Sequence, residues 1–458
     1  MTGSAVALPR SDFDRLVRAV QANCHVSDAR HARNMTMCTY LMEMRELYRW
    51  ERGIPLTAAL PRTDVGTWLA GREALWASLE DADYRPLPLD GSEIDPFDTA
   101  AVNAALQPHA LVYGAGVGRF GKPQFFLGAL ARQEQRGDIS ILVSACEHAR
   151  DLAPAPAASR GGTIYVRLES LRRVLWEKAE AWSGRRADGA LADALEAHGY
   201  AENPLAALTR MAEAEVETLI LHELGEHEAG RRLGPRWEAM LGRLSLRRPE
   251  LFVRAVRDHL ADCLVTLPAL LARDAPASIH FWFANLDGMR RELFPRIVTA
   301  YQAWRDGDPG TALAAAVDAG VRHWADVCAE VLVRAAPNSS SARRAIISPI
   351  ASSPYRHCWR GTIRRRSISG SRISTACAAR SFPGSSRPTR HGATATLEPR
   401  WPPRSTPGFG TGPTCAPRFS PVPRRARAPT RPRPRSTPWR WRRRRACSTL
   451  PVRRLPPG

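Results

Sequence analysis

The chain has 458 residues and a formal net charge of +21, but the charge is confined to one end. Residues 1–337 hold 39 Lys+Arg against 44 Asp+Glu, so 66 − 39 leaves 27 basic residues and 45 − 44 leaves one acid for residues 338–458. A mildly acidic body therefore carries an intensely basic tail, which removes a nucleic-acid reading from the body and confines it to the tail. The nine cysteines form no CxxC pair, so neither a zinc ribbon nor a disulfide framework is indicated. No stretch approaches the roughly 18 apolar residues of a membrane span, and Met1–Arg10 lacks the pattern of a secretory signal. A cytoplasmic protein without membrane association is expected. Lys122 and Lys178 are the only lysines in a chain rich in Ala, Arg and Pro; a GC-rich, bacterial genome accounts for that.

Taken in order, residues 11–52 read as two helices. Phe13, Leu16, Val17 and Val20 line the first; Met37, Leu41, Met44 and Tyr48 line the second. A third helix is expected over 67–80, then an Asp/Pro-rich loop over 81–98. Residues 110–113 form a short apolar run that meets Gly114-Ala-Gly-Val-Gly118. The third glycine is one residue early for a dinucleotide fingerprint, so the glycines predict a tight turn; Arg119 and Lys122 beside it are candidate anion binders. Strands at 124–131, 139–144 and 163–167, closely spaced, predict an antiparallel meander. Helices are expected at 168–182, 205–232, 234–246, 249–273, 286–305 and 311–335, with Leu267-Pro268 ending or kinking the fourth. The fold class is α+β, mainly α: a helical bundle with a small antiparallel β-meander inserted in its first half. The expected regions are 1–95 (helical), 96–167 (β), 168–336 (helical, with the candidate site) and 337–458.

That last region has about nineteen prolines, no lysine and Glu398 as its one acid. A nucleic-acid-binding tail, a Pro-rich linker and a reading-frame shift compete for it. The frameshift explains the abrupt onset, the missing acids and the scattered Trp and Cys together. On any of the three the tail is expected to be disordered, with too little apolar surface to offset chain entropy.

The chemistry concentrates in His222-Glu-Leu-Gly-Glu-His227. Two histidines flanking a glutamate suggest a protease zinc helix, but that motif needs a spacing of four. A spacing of five separates His222 from His227 by about 140° around the axis. The pairs that share a face are Glu223 with His227, and His222 with Glu226. Extending the apolar stripe of Ala212, Val216, Leu219 and Ile220 puts Glu223 and His227 on the buried side. Some thirty residues on, Asp258-His-Leu-Ala-Asp-Cys263 repeats the pattern, with His259 on the apolar face and Asp262 at its margin. If the two helices pack together, Glu223, His227, His259 and Asp262 are candidate ligands for a divalent metal such as Zn, Mn or Fe. His222 and Glu226 are then the candidate acid–base residues of a hydrolase or oxidoreductase acting on a small molecule. The bland alternative is a scaffold or protein-interaction module in which these residues form a structural polar network. Nucleic-acid association is a further alternative only if the basic tail is genuine. Cys146-Glu147-His148 offers a weak nucleophile–base signal, and His280 in Ile-His-Phe-Trp-Phe reads as core packing or a subunit contact.

Several segments together resemble an uncharacterised family of bacterial proteins. They are Met37–Glu51 (MCTYLMEMRELYRWE), Val112–Phe126 (VYGAGVGRFGKPQFF), Leu221–Glu226 (LHELGE), Arg257–Pro268 (RDHLADCLVTLP) and His280–Phe283 (HFWF). The resemblance covers about residues 11–335. It brings no activity with it and implies that the body is a bacterial protein of that family.

Overall fold

A computed structural model describes residues 7–89, 91–184, 187–244 and 247–335. The tail lies outside them, and so does the expectation of disorder placed on it. Among the described residues no helix is long and apolar enough to cross a membrane.

The chain opens with α1 (Arg10–His31), α2 (Met37–Glu51) and α3 (Arg62–Ala77). A short hairpin of β1 (Leu87–Leu89) and β2 (Ser92–Ile94) follows where the sequence predicts only loop. Next come α4 (Thr99–Leu106), β3 (Leu111–Val117), β4 (Pro123–Arg136), β5 (Ile139–Arg150), β6 (Ala157–Arg160) and β7 (Thr163–Arg167). The rest is helical: α5 (Leu168–Ser183), α6 (Ala190–Ala197), α7 (Pro204–Ala214), α8 (Val216–Leu233), α9 (Pro235–Leu241) and α10 (Arg247–Ala261). A π-helical segment, Asp262–Thr266, joins α10 to α11 (Leu267–Ala272), and α12 (Pro276–Ala284), α13 (Gly288–Leu293), α14 (Pro295–Arg305) and α15 (Thr311–Arg334) close the body. The mainly helical α+β class with an inserted sheet is what the sequence predicts.

The larger sheet runs β3-β4-β5-β7-β6. The antiparallel meander holds for β3 to β5, but β7 pairs parallel to β5, from Ser140↔Thr163 to Ser144↔Arg167. Bulges between Leu127 and Arg132 bend the β4–β5 ribbon, as an extra residue on one strand does. The sheet curls until Arg167 lies over the Phe126 ring, 4.4 Å from its centroid. This explains the glycines, which are not the turn that was expected. Gly114 and Gly116 lie inside β3, where a Cβ would come within 2.2 Å of Phe126 and 2.4 Å of Arg160. Phe126 is the partner of Gly114 across β4, and the curl brings Arg160 of the far edge strand over Gly116.

On one side α1 covers the sheet. Leu16, Val20 and Cys24, four residues apart, pack with Leu111, Tyr113, Phe125 and Leu127. On another face, Val216 and Ile220 of α8 meet Ile139, Ile141, Val143, Ile164 and Val166. The largest core lies among the C-terminal helices around Trp237, Val253, Leu260, Ile297 and Trp324. Each such side chain contributes roughly 1.5–3 kcal/mol on burial. Charged pairs cross between the N-terminal elements and α5: Arg173 to Glu43 at 3.0 Å and Arg45 to Glu180 at 2.7 Å.

Candidate functional site

Helix α8 carries the central motif. Glu217 stands in its first turn and Arg231 and Arg232 in its last, the charge order that suits a helix dipole. Its Gly225 sits at the closest approach to α10: a Cβ there would fall 2.6 Å from the Ala261 carbonyl oxygen. The two backbones touch because neither helix projects a long side chain at that point. The α10 side is shaped by the π-helical segment that begins at Asp262, in which the Leu267 N–H donates to the Asp262 carbonyl. Proline at 268 has no N–H to give its predecessor, and one inserted residue absorbs the break without ending the helix. From the other side Gly320 of α15 lets Cys263 close in; a Cβ there would lie 2.6 Å from Cys263 Sγ. π-Helical turns are frequent at functional sites.

Asp262 is fully buried. One oxygen accepts from His222 Nδ1 at 2.8 Å, and the other accepts from the Arg290 guanidinium of α13. His222 Nε2 is 3.5 Å from Glu226 Oε1, and Glu226 Oε2 is 2.6 Å from Arg257. Arg257 also reaches Asp258 at 3.5 Å. The result is a chain of alternating charge, Arg290–Asp262–His222–Glu226–Arg257, built from three helices and the π segment.

Its members titrate far from their ordinary values. Burial drives the His222 imidazole down, but Asp262 and Glu226 outweigh it and hold it well above 6.5. Burial also raises Glu226, yet His222 and Arg257 pull it well below the carboxylate range. Asp262, opposed by burial but paired with His222 and Arg290, falls to about 2. Glu223 goes the other way. Burial and the neighbouring Glu226 charge push it up to about 7, against the pull of His222 and a hydrogen bond from Ser159. Burial and Glu226 raise Asp258 as well.

The structure thus joins His222, Glu226 and Asp262 and sets Glu223 beside them. It does not bring in the other two candidates. His227, expected on the buried side, is exposed. It lines a cleft of about 140 Å³ with Ile139, Ser159, Ile164 and the Gly161-Gly162 turn. His259 is buried in the core, where Nε2 donates to the Arg290 carbonyl at 2.9 Å. It stacks on Trp324 at 4.7 Å and meets Phe294 edge-on, and burial lowers it to about 3.

The proposed ligand set does not fit a cation. Among the described residues no group of three or more His, Cys, Asp or Glu side chains is arranged to hold a metal ion. The carboxylates of Asp262 and Glu226 are engaged by His222 and by two guanidinium groups, whose charge repels a metal. Sequence reasoning missed Arg257 and Arg290. Asp258, four residues before Asp262, carried a periodic signal; Arg290 lies on a separate helix and carried none. Elsewhere, Lys122 is committed to Asp28 at 2.7 Å and Asp151 at 3.4 Å, which removes it as an anion binder. Glu147 is committed to Arg167 and Ser170, and His280 packs against Tyr301, with Nδ1 2.8 Å from its hydroxyl.

Residues 15–167 match the N-terminal domain, and residues 172–353 the C-terminal domain, of a family of unknown function (DUF6866). The chain belongs to this family. The α8, α10 and α13 residues of the network all fall within its C-terminal domain, whose match continues past Pro337 into the basic segment. No curated protein and no solved structure matches the chain.

Proposed function

We propose that this family member is an enzyme of the hydrolase kind that works by metal-independent acid–base catalysis at the α8–α10 network. The observation that carries the reading is geometric: His222 lies between Asp262 at 2.8 Å and Glu226 at 3.5 Å, and Glu223, one turn before Glu226, is buried beside them. In that setting burial and the Glu226 charge raise Glu223, while His222 and Arg257 lower Glu226. Paired groups whose surroundings push their pKa values apart are how one site supplies both a proton carrier and a fixed charge. Glu223 takes up and returns a proton at neutral pH. His222, clamped by Asp262, stays an imidazolium that donates or stabilises developing negative charge. Arg257 and Arg290 hold the two carboxylates in place.

The test is a screen of the full-length protein against ester, amide and phosphoester substrates. Turnover should fall by about 10²-fold or more in Glu223→Gln, the range for losing a general acid or base. Its pH profile should have a limb near 7, and Glu226→Gln should move that limb to lower pH by removing the charge that raises Glu223. A turnover indifferent to pH and unchanged in both Glu223→Gln and His222→Gln ends this reading.

A second reading has its own support. Every charge along the chain is paired, and the chain ties α8, α10 and α13 together, as a scaffold's polar network does. On that reading His222→Gln costs stability and there is no activity to lose. Nucleic-acid association rests on residues outside the described ones.

A further inference from the structure

We propose that the cleft beside α8 receives the acyl group of a small carboxylic ester, and that Ser159 on its wall is the nucleophile that attacks it. The location rests on the reading of Glu223 as the proton carrier; the substrate class rests on the cleft itself.

Strand register puts Ser159 there. Along β6, Ala157 and Ser159 share one side, and Ser159 stands opposite Ile164 of β7. Ala157, Ile164 and Val166 belong to the side that packs on Val216 and Ile220 of α8. The same stripe of α8 runs on to Glu223 and then His227. Where the helix stripe turns from apolar to polar, the facing strand turns from Ala157 to Ser159. The Ser159 hydroxyl donates to the Glu223 carboxyl, and Ser159 and His227 both line the cleft of about 140 Å³. Ser159 is exposed, whereas Glu223 is buried. A ligand in the cleft therefore meets the hydroxyl first, with the carboxyl behind it, which is the order a nucleophile and its base require.

A cleft of that size holds a group about as large as benzene. Ile139 and Ile164 give it an apolar wall, and Ser159, Thr163 and His227 a polar one. Arg160, which also lines it, is laid over Gly116, where a Cβ would meet the guanidinium at 2.4 Å. Two isoleucines beside one arginine favour an uncharged acyl chain over a phosphoryl group. In the first step Ser159 Oγ bonds to the ester carbonyl carbon as its proton passes to Glu223. Burial and the Glu226 charge hold that carboxyl at about 7, which suits a base at neutral pH. The carbonyl pair moves to oxygen and returns as the bond to the alcohol oxygen breaks, and that oxygen takes the proton from Glu223. Water then attacks the Ser159 ester and gives its proton to Glu223, and Ser159 Oγ recovers it as the acid leaves.

The experiment offers the full-length protein nitrophenyl acetate, butyrate and decanoate and, separately, a fluorophosphonate whose attachment point is located by mass spectrometry. Expected are a burst of about one equivalent of nitrophenol, turnover that falls from butyrate to decanoate, and a phosphonyl adduct on Ser159. Ser159→Ala should lose about 10²-fold or more of the turnover, as Glu223→Gln does. Ser159→Cys keeps a nucleophile and should still accumulate an acyl-enzyme, which separates lost chemistry from lost folding. No adduct at Ser159 together with no burst, or a Ser159→Ala variant as active as the parent, overturns the proposal. If Glu223→Gln still abolishes turnover in that case, water is attacked directly and the proton-carrier reading stands without Ser159. An adduct that forms equally fast in Glu223→Gln keeps Ser159 as the nucleophile and removes Glu223 as its base.

Discussion

Glu223→Gln is expected to stabilise the protein, and to do so in proportion to pH. The Glu223 carboxyl moves from an ordinary 4.5 to about 7 in the folded chain, because burial and the Glu226 charge disfavour its ionised form. A carboxyl raised on folding contributes stability that is complete below about pH 4.5 and lost as pH rises through about 7. At about pH 8.5 the parent therefore keeps a buried carboxylate whose ionisation costs about 3 kcal/mol relative to its protonated form. Glutamine has nearly the same shape, can still accept a hydrogen bond from Ser159, and cannot ionise. The expected gain is about 3 kcal/mol near pH 8.5, about 2 near pH 6 and close to zero near pH 4.5. Urea denaturation of full-length parent and variant at the three pH values reads this as a shift in midpoint at fixed m. A gain of equal size at all three, or a loss near pH 8.5, refutes a buried carboxyl that titrates near 7.

Further outcomes follow from the same contacts. Gly225→Ala should cost about 1–3 kcal/mol, the range for overpacking, because its Cβ would lie 2.6 Å from the Ala261 carbonyl. Gly230→Ala on the same helix meets nothing within 4 Å and should stabilise by about 0.5–1 kcal/mol; thermal melts of the two separate contact from backbone entropy. Asp262→Asn leaves Arg290 and His222 without their shared carboxylate and should cost about 3–5 kcal/mol, as breaking a buried pair does. The same variant should drop the His222 pKa, visible in an NMR titration of its ring; an unmoved His222 would mean Asp262 does not hold it. For His259, lowered by burial to about 3, the sign is opposite to that of Glu223. Its contribution is present above about pH 6.5 and is lost on acidification toward 3, up to about 4–5 kcal/mol. Acid unfolding of His259→Gln should accordingly be less steep over that range than that of the parent.

The parts of the fold that sequence reasoning reaches are those governed by local periodicity. The apolar face of α1 and the strands flanking Asp138 are legible because a 3.6- or 2-residue repeat records which side is buried; on α2 only Met44 and Tyr48 of the expected face are buried, while Met37 and Leu41 are exposed. The glycines of β3 mislead because their reason is not local. Gly114 makes room for the ring of Phe126, its partner across β4, and Gly116 for Arg160, brought there by the curl of a sheet whose bulges leave no mark in composition. The parallel β5–β7 pair is likewise fixed by register across a connection, not by spacing along it. In the site, helical rotation pairs His222 with Glu226 and Glu223 with His227, and those pairs do share faces. Rotation does not record where each face stops being covered. His227 sits exposed at the cleft beside the Gly161-Gly162 turn, and His259 packs against Trp324 and Phe294. Both outcomes depend on the lengths of neighbouring elements.

The network also explains why a proline is tolerable at position 268, in the middle of what would otherwise be one helix. A regular helix from Arg247 to Ala272 would have to lose a hydrogen bond and clash with the ring. The π turn of Asp262–Thr266 takes up that strain, and in doing so resets the angular position of every residue after Ala261. Gly225 and Gly320 flank the same turn and admit it between α8 and α15, the first against the Ala261 backbone and the second against the Cys263 side chain. Asp262 is the first residue of the widened turn, and it is the one that receives both His222 and Arg290. Helix break, close packing and buried carboxylate are thus one arrangement. A helix made regular there, by Pro268→Ala together with deletion of one residue from 263–266, should turn Asp262 off His222. The His222 pKa should fall even though no charged group has been removed. If the imidazole stayed protonated to the same pH in that variant, the π turn would be a packing accident and the charge chain would owe nothing to it.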